Sequence, residues 1–299
     1  MEIPPPPARR TRDMNPAHIR SFFDPATFTV THVVCDPATH RAAVIDSVLD
    51  YDPKSGRTST RSADEVAAYV HAQGLTVDWH LETHAHADHF SAAKYLKAQL
   101  GGRIGIGEHI REVQGVFKKV FNAADMDTEG RDFDHLFRDG ETFAVGELGF
   151  RVVHTPGHTP ACVTYLAGRD AFVGDTIFMP DFGTARCDFP GGDARVLYRS
   201  IRRLLALGDD VRLHLCHDYM PGGREVRWVT TVADEKAANI HVREGVSEDE
   251  FVAMRTARDA TLEMPTLILP AVQVNARGGN LPPAEDNGIR YLKIPLNAL

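Results

Sequence analysis

The sequence has little that would suggest a secreted, membrane-spanning or nucleic-acid-binding protein. Its four cysteines, Cys35, Cys162, Cys187 and Cys216, are scattered without a C-x-x-C pair, which argues against a disulfide framework and favours a reducing cytoplasm. No window approaches the ~20 apolar residues that span a bilayer, and the N-terminus lacks the apolar core of a signal peptide. A formal net charge of −8 argues against nucleic-acid or acidic-membrane partners.

The composition is that of a globular protein, with 299 residues, 43% hydrophobic and 25% charged. Prolines occupy positions 4–7 and are followed by three arginines, so we expect residues 1–20 to form a disordered tail. Residues 21–299 are predicted to form a single domain, with a C-terminal extension from about residue 240.

Strand and helix patterns alternate in two blocks. The β-branched runs at 28–34 and 42–46 predict an antiparallel hairpin, and 62–65 predicts a capping box that begins a helix. A second block of strands and helices runs from about 142 to 215. This order predicts an α/β (α+β) architecture, in which two sheets pack face to face between helical layers. The last sixty residues predict one helix, at 247–260, and an extended tail.

Metal-binding residue types are concentrated at 83–89. His84, His86, Asp88 and His89 lie between a predicted strand and a predicted helix, with alanines between them. Imidazoles and carboxylates are ligands that first-row metals prefer. A strand-to-helix turn lets such side chains converge, so the segment predicts a metal site.

Three further candidate ligands are widely spaced along the chain. His154, Asp175 and His217 each follow a predicted strand. Ligands at several strand ends would meet at one edge of the two sheets. His158 also follows His154, in a Pro-Gly loop, and we interpret it as a hydrogen-bond partner that fixes the loop rather than as a ligand.

The chain resembles the metallo-β-lactamase superfamily over about residues 21–240. The resemblance lies in the order and spacing of seven candidate ligands, which are His84, His86, Asp88, His89, His154, Asp175 and His217. The nearest resemblance is to the persulfide dioxygenase (sulfur dioxygenase) family, in its bacterial form with an extended C-terminus. The resembling segments are 82–89, 154–159, 174–176, 186–189, 216–219 and 290–297. The helical C-terminal domain that glyoxalase II usually carries is not predicted here.

The resemblance implies the αββα sandwich, with one Fe(2+) per chain held by His84, His154 and Asp175. Two histidines and one carboxylate leave coordination positions open on the iron. The implied reaction oxidises glutathione persulfide with O2 and water to sulfite and glutathione, in sulfide detoxification, and the implied assembly is a homodimer. The remaining candidates are implied to form hydrogen bonds or carry protons near the iron; they are His86, Asp88, His89 and His217.

Two other functions stay open at this point. A dinuclear thioesterase of the glyoxalase II type (hydroxyacylglutathione hydrolase) would use all seven residues to bind two Zn(2+). The chain could instead be a metal-binding or redox-sensing partner protein that catalyses no reaction. The sequence leaves the metal and its stoichiometry undecided.

Smaller hypotheses concern the substrate and the thiols. Arg186 could hold a glutathione carboxylate, with a surface salt bridge as the alternative. Tyr219 could face the same cleft, with a packing role as the alternative. We interpret Cys162 and Cys187 as packing residues; oxidation sensing by Cys187 near an iron centre is a further idea.

Overall fold

Two six-stranded mixed sheets form the centre of the structure, a computed structural model that describes residues 16–297. In chain order, its strands are β1 (His18–Asp24), β2 (Thr29–Asp36), β3 (Arg41–Ile45), β4 (Val48–Asp52), β5 (Arg57–Ser59), β6 (Thr76–Leu81), β7 (Phe90–Ser91), β8 (Arg103–Gly107), β9 (His135–Phe137), β10 (Thr142–Val145), β11 (Leu148–His154), β12 (Val163–Ala167), β13 (Asp170–Phe172), β14 (Arg212–His214) and β15 (Val229–Thr231). Its α-helices are α1 (Arg61–Ala72), α2 (Ala93–Leu100), α3 (Ile110–Val120), α4 (Ala194–Leu205), α5 (Val232–Ala238), α6 (Glu248–Asp259) and α7 (Ile268–Asn275).

The first sheet has the strand order β1-β2-β3-β6-β8-β9. β2 and β3 form the predicted antiparallel hairpin, in which Cys35 pairs with Ala42. β3, β6, β8 and β9 are parallel neighbours. The C-terminal ends of β3 and β6 therefore lie at the same edge of this sheet.

The second sheet has the order β10-β11-β12-β13-β14-β15, and β4, β5 and β7 form a separate small sheet. β11 is antiparallel to β12, β12 is antiparallel to β13, and β13 is parallel to β14. β11, β13 and β14 therefore run in one direction, and their C-terminal ends lie at one edge.

The two sheets pack face to face. Ile45 and Trp79 of the first sheet share an apolar core with Phe150 and Tyr165 of the second. Residues of α1 and α2 cover the outer face of the first sheet, and residues of α4 and α6 cover the outer face of the second. These four layers confirm the predicted αββα sandwich.

Helix α1 begins differently from the prediction. The prediction of a capping box at 62–65 is wrong, because α1 begins at Arg61. The Ser62 side chain and amide donate to Asp50 instead, at 2.8 and 3.0 Å. A capping box does occur at the start of α6, between Ser247 and Glu250.

Most of the N-terminal tail predicted for residues 1–20 falls outside the described residues, and 18–20 belong to β1.

The C-terminal segment contains a helix that the sequence pattern did not predict. Val272 of α7 packs in the core beside α3, while Ala271 and Val274 pack with Phe90. The β-branched residues of α7 are weak helix formers, so burial stabilises α7 more than its own propensity does. Across residues 16–297, no helix has both the length and the apolar character needed to cross a membrane.

Candidate metal centre

The candidate ligands lie at one edge of the sandwich, just beyond the ends of four strands. The 82–89 loop follows β6, His158 follows β11, Asp175 follows β13 and His217 follows β14. Gly174 allows the loops of the two sheets to approach, because a Cβ at this position would lie 2.5 Å from Thr83 Oγ1. Its φ of +51° is also one that glycine adopts without strain.

His84, His158 and Asp175 form a compact group. Asp175 Oδ2 lies 3.8 Å from His84 Nε2 and 3.7 Å from His158 Nε2. All three side chains are buried. Two imidazoles and one carboxylate thus face a common centre, which is a ligand set suited to non-haem Fe(II).

Hydrogen bonds at the far ring nitrogens determine which atoms face this centre. His158 Nδ1 lies 2.8 Å from the Arg186 carbonyl oxygen. Because a carbonyl only accepts, Nδ1 carries the proton and His158 Nε2 presents a lone pair. His84 Nδ1 lies 3.0 Å from Thr83 Oγ1, which donates to Asp46 Oδ2 at 2.9 Å. His84 Nδ1 is therefore also a donor, and its Nε2 is available to a metal.

The structure does not bring His154 to this group, which corrects the sequence prediction. His154 is the last residue of β11, and its Nε2 donates to the carbonyl oxygen of Pro160 at 2.9 Å. Its ring stacks on His109. The loop between the antiparallel strands β11 and β12 brings His158, and not His154, to His84 and Asp175. His158 also holds the Arg186 carbonyl, so the loop-fixing interpretation describes one of its two ring nitrogens.

The other four predicted residues adjoin the same centre. His86, Asp88 and His89 form a second group of ligand-type atoms. His217 Nε2 lies 3.3 Å from Asp88 Oδ2 and 3.3 Å from Asp175 Oδ1. Asp175 therefore lies between the two groups and can contribute to either of them.

Several buried polar atoms of this cluster have no hydrogen-bond partner in the described part of the chain. They are His84 Nε2, His86 Nδ1, His89 Nε2, His217 Nε2 and Asp175 Oδ1. An unpartnered buried polar atom costs about 1–3 kcal/mol. Several such atoms in one buried cluster would be unfavourable in a purely structural role, and they fit a metal centre.

Asp46, at the end of β3, supports the ligand loop and was missed in the sequence. It accepts hydrogen bonds from the Thr83 amide (2.8 Å), Thr83 Oγ1 (2.9 Å) and His86 Nε2 (3.0 Å). Burial alone would raise the pKa of Asp46, but His86 and Thr83 lower it below its ordinary value. The strained φ of +53° at Asp46 is typical of functional positions. An acidic residue directly after a buried strand was the available signal.

Neighbouring charges affect His84 and His86 in opposite ways. Burial, together with His86, lowers the pKa of His84 well below its ordinary value, so this side chain is a neutral imidazole, as metal binding requires. Burial also disfavours a charged His86, but Asp46 and Glu82, at 3.0 and 3.2 Å from its Nε2, raise its pKa well above the ordinary value.

A cleft of about 580 Å³ leads to this centre. His158 and Asp175 line its inner end. Its walls are rich in aromatic side chains, contributed by Phe28, Phe178, Phe182 and Tyr219. Tyr219 lines the cleft as predicted, and its ring stacks on both His217 and Phe182 (5.6 and 4.7 Å between centroids).

Three arginines line the same cleft. Arg186 does so as predicted, but its guanidinium already binds Asp188 at 2.5 and 2.6 Å. Arg255 is buried and pairs with Asp259 at 2.6 Å. Arg258, which the sequence did not single out, is exposed, and its guanidinium has no hydrogen-bond or ion-pair partner within residues 16–297. Arg258 is therefore the cleft cation that is available to an anionic ligand.

All four cysteines are free and buried. Burial raises the pKa of Cys162 to about 12 and raises that of Cys187 further. Both thiols stay protonated at neutral pH, which supports a packing role and disfavours reactivity.

Comparisons with known proteins place this geometry in a family context. Residues 26–217 match the Metallo-beta-lactamase superfamily. The chain is 60% identical to a probable metallo-hydrolase of Burkholderia pseudomallei, over 94% of this chain and 99% of that protein. It is 55% identical to a beta-lactamase hydrolase-like protein of Xylella fastidiosa over 94% of this chain, and it spans 65% of that longer protein. It is 49% identical to glyoxylase B2 of Dictyostelium discoideum, over 95% of this chain and 99% of that protein.

A more distant similarity concerns proteins named ETHE1. The human mitochondrial persulfide dioxygenase ETHE1 is 29% identical over 88% of this chain and 89% of its own length. The crystal structure of ETHE1 from Myxococcus xanthus superposes with a TM-score of 0.71 at 30% identity, covering 88% of this chain and all of that one.

Proposed function

This chain belongs to the metallo-β-lactamase superfamily, and on that basis we propose that it is a persulfide dioxygenase with one non-haem iron. The observation that carries the proposal is the group formed by His84, His158 and Asp175, which lies at the inner end of an open cleft. The similarity to ETHE1 in sequence and in fold supports it.

The residues present fit an iron ion. Both imidazoles direct an unprotonated Nε2 toward Asp175, and the Nε2 of His84 and Oδ1 of Asp175 are buried without partners in the described residues. When bound, Fe(II) would supply the electron transfer that couples dioxygen to the persulfide sulfur. The overall proposed reaction converts glutathione persulfide, O2 and water to glutathione and sulfite.

The protein's own groups would orient the ligands and the substrate. Thr83 and the Arg186 carbonyl hold the two imidazoles in the required tautomer. The aromatic walls would exclude bulk water around the reacting sulfur, apart from the one water molecule that the reaction consumes. Arg258 would attract a carboxylate of the glutathione carrier from the cleft wall.

A dinuclear thioesterase is the second candidate function. His89 and His217 each have a buried Nε2 without a partner in the described residues, and both lie near Asp88. With Asp175 between the two groups, these atoms could hold a second metal. The names of close relatives, a probable metallo-hydrolase and glyoxylase B2, support this alternative.

Metal loading followed by two assays separates these functions. The purified protein is loaded anaerobically with Fe(II) or Zn(II), and its metal content is measured. We expect close to one iron per chain, with persulfide-dependent uptake of O2 and release of sulfite. His84→Ala serves as the metal-site control and should lose both.

Absence of O2 uptake above the iron-free control would contradict the dioxygenase. Two metals per chain, together with hydrolysis of a hydroxyacyl thioester of glutathione, would support the thioesterase instead. Neither activity in a fully metal-loaded protein would favour a binding or sensing role.

A further inference from the structure

The C-terminal helix α7 contacts the 82–89 loop, which carries four of the candidate ligands, and the strand β7 that follows it. Leu267, Ala271 and Val274 pack with Phe90, directly after that loop. Gly279, just beyond α7, approaches the same place, since a Cβ there would lie 3.1 Å from the Ser91 carbonyl oxygen. The helix lies outside residues 26–217, the part that matches the superfamily.

The buried side chain of Asn275, the last residue of α7, makes two hydrogen bonds to this loop and one to β7 directly after it. Its Nδ2 donates to the carbonyl oxygens of His86 and His89, both at 2.7 Å. Its Oδ1 accepts from the Ser91 amide at 2.8 Å. In the described part of the chain, neither carbonyl receives a hydrogen bond from a backbone amide. One side chain thus holds both ends of the 86–89 turn.

Only an amide fits this position fully. Asn supplies two N–H donors and one acceptor, and here each is matched to a backbone group. Aspartate would keep the acceptor but place a carboxylate oxygen against two carbonyl oxygens. Alanine would leave the two carbonyls and the Ser91 amide buried without partners, which costs about 1–3 kcal/mol for each group.

We infer that Asn275 is a positioning residue of the metal centre, and that α7 completes the site. By holding the carbonyls of His86 and His89, Asn275 sets the shape of the turn that presents His86, Asp88 and His89. The inference rests on the metal centre of the proposed function, but it does not depend on which metal or which reaction is native. Loss of such supporting bonds typically weakens metal binding about 10- to 100-fold.

Gln273 provides a matched control on the same helix. Its side chain also makes three hydrogen bonds, donating to the carbonyls of Leu269 (2.8 Å) and Lys293 (2.9 Å) and accepting from the Lys293 amide (2.9 Å). None of these bonds involves the ligand loop. Gln273→Ala therefore removes the same number of bonds from α7 without touching the metal centre.

The experiment compares wild type, Asn275→Ala, Asn275→Asp and Gln273→Ala in the full-length protein. The dissociation constant for Zn(II) is measured by competition with a chelator, and the visible spectrum of the Co(II)-loaded protein reports ligand geometry. We expect Asn275→Ala to weaken metal binding about 10- to 100-fold and to alter the Co(II) spectrum, with a larger effect for Asn275→Asp. Gln273→Ala should lower thermal stability while leaving both metal readouts near wild type.

Equal metal affinity and spectra in Asn275→Ala and Gln273→Ala would overturn the inference. If Asn275→Ala does not fold, the comparison of Asn275→Asp with Gln273→Ala decides in the same way. A wild-type protein that binds no metal would instead overturn the proposed function.

Discussion

The imidazole rings of His109 and His154 stack with centroids 4.3 Å apart and planes within 5° of each other. The first ring is held by Glu112, at 2.6 Å from His109 Nδ1, and the second by the Pro160 carbonyl, at 2.9 Å from His154 Nε2. This stack joins the start of α3 to the end of β11. It keeps the His154 ring outside the group of metal-binding atoms.

Replacement of His154, at the end of β11, and of His158, in the loop that follows, should therefore have unequal effects. His158→Ala removes an Nε2 that faces Asp175 at 3.7 Å, and we expect metal affinity and turnover to fall by at least ~100-fold. His154→Ala should retain the metal content and most of the activity. Metal analysis after gel filtration and initial rates measure the difference. Equal losses in both variants, with both proteins folded, would contradict the assignment of His158.

Arg258 should affect substrate binding more than turnover. Its guanidinium lines the cleft without a partner in residues 16–297, so it can bind a substrate carboxylate. One charge-assisted hydrogen bond contributes about 1.5 kcal/mol at the low end, which corresponds to about tenfold in KM. We expect Arg258→Ala to raise KM by this factor with little change in kcat. Arg243→Ala, an exposed arginine outside the cleft lining, is the control; the same KM change there would argue against a specific contact.

Breaking the buried ion pair between Arg255 and Asp259 should destabilise the protein, whereas replacing both residues together should be tolerated. Arg255 Nη1 donates to the Thr184 carbonyl (3.1 Å), and Asp259 Oδ2 accepts from the Cys187 amide (2.8 Å), so the pair holds the cleft loop that carries Arg186. Asp259→Ala leaves a buried guanidinium unpaired and should cost about 3–5 kcal/mol of unfolding free energy.

Joint replacement, Arg255→Met with Asp259→Leu, removes both charges and should cost much less than the single change. Urea unfolding monitored by circular dichroism measures each variant. A double variant as unstable as Asp259→Ala would show that the backbone hydrogen bonds, rather than the charge balance, dominate.

His80 should make stability depend on pH. Burial lowers its folded-state pKa to about 4 from an ordinary 6.5, and its Nε2 donates to the Gly101 carbonyl at 2.9 Å. Between these values the unfolded chain binds a proton that the folded protein does not, so stability is greatest above about pH 6.5 and decreases toward pH 4. The full effect is on the order of 3 kcal/mol.

His80→Gln can keep a donor for Gly101 but cannot titrate. We expect the unfolding free energy of this variant to vary less between pH 6.5 and pH 4.5 than that of wild type, as measured by urea titrations at each pH. A variant with the same pH dependence as wild type would mean that other buried groups, such as His32 with a pKa of about 3, dominate.

Much of the architecture was predictable because its signals are local. Strand runs such as the β2–β3 hairpin and the order of strands and helices are set by side-chain periodicity along the chain. The density of His84, His86, Asp88 and His89 in one turn likewise indicated a metal site without tertiary information. Asp175 and His217 could be added because each directly follows a strand.

The sequence by itself thus determined the layered α/β architecture and most of the residues at the metal centre. Only the tertiary structure decided between His154 and His158, because the direction of a ring after a strand end depends on how the loop turns and on which carbonyl holds its far nitrogen. It also showed that Asp46, Arg258 and Asn275 lie at the cleft or against the ligand loop. These residues are distant in sequence from the ligand loop or from the other residues that line the cleft, and only the packing of α6, α7 and the two sheets brings them together.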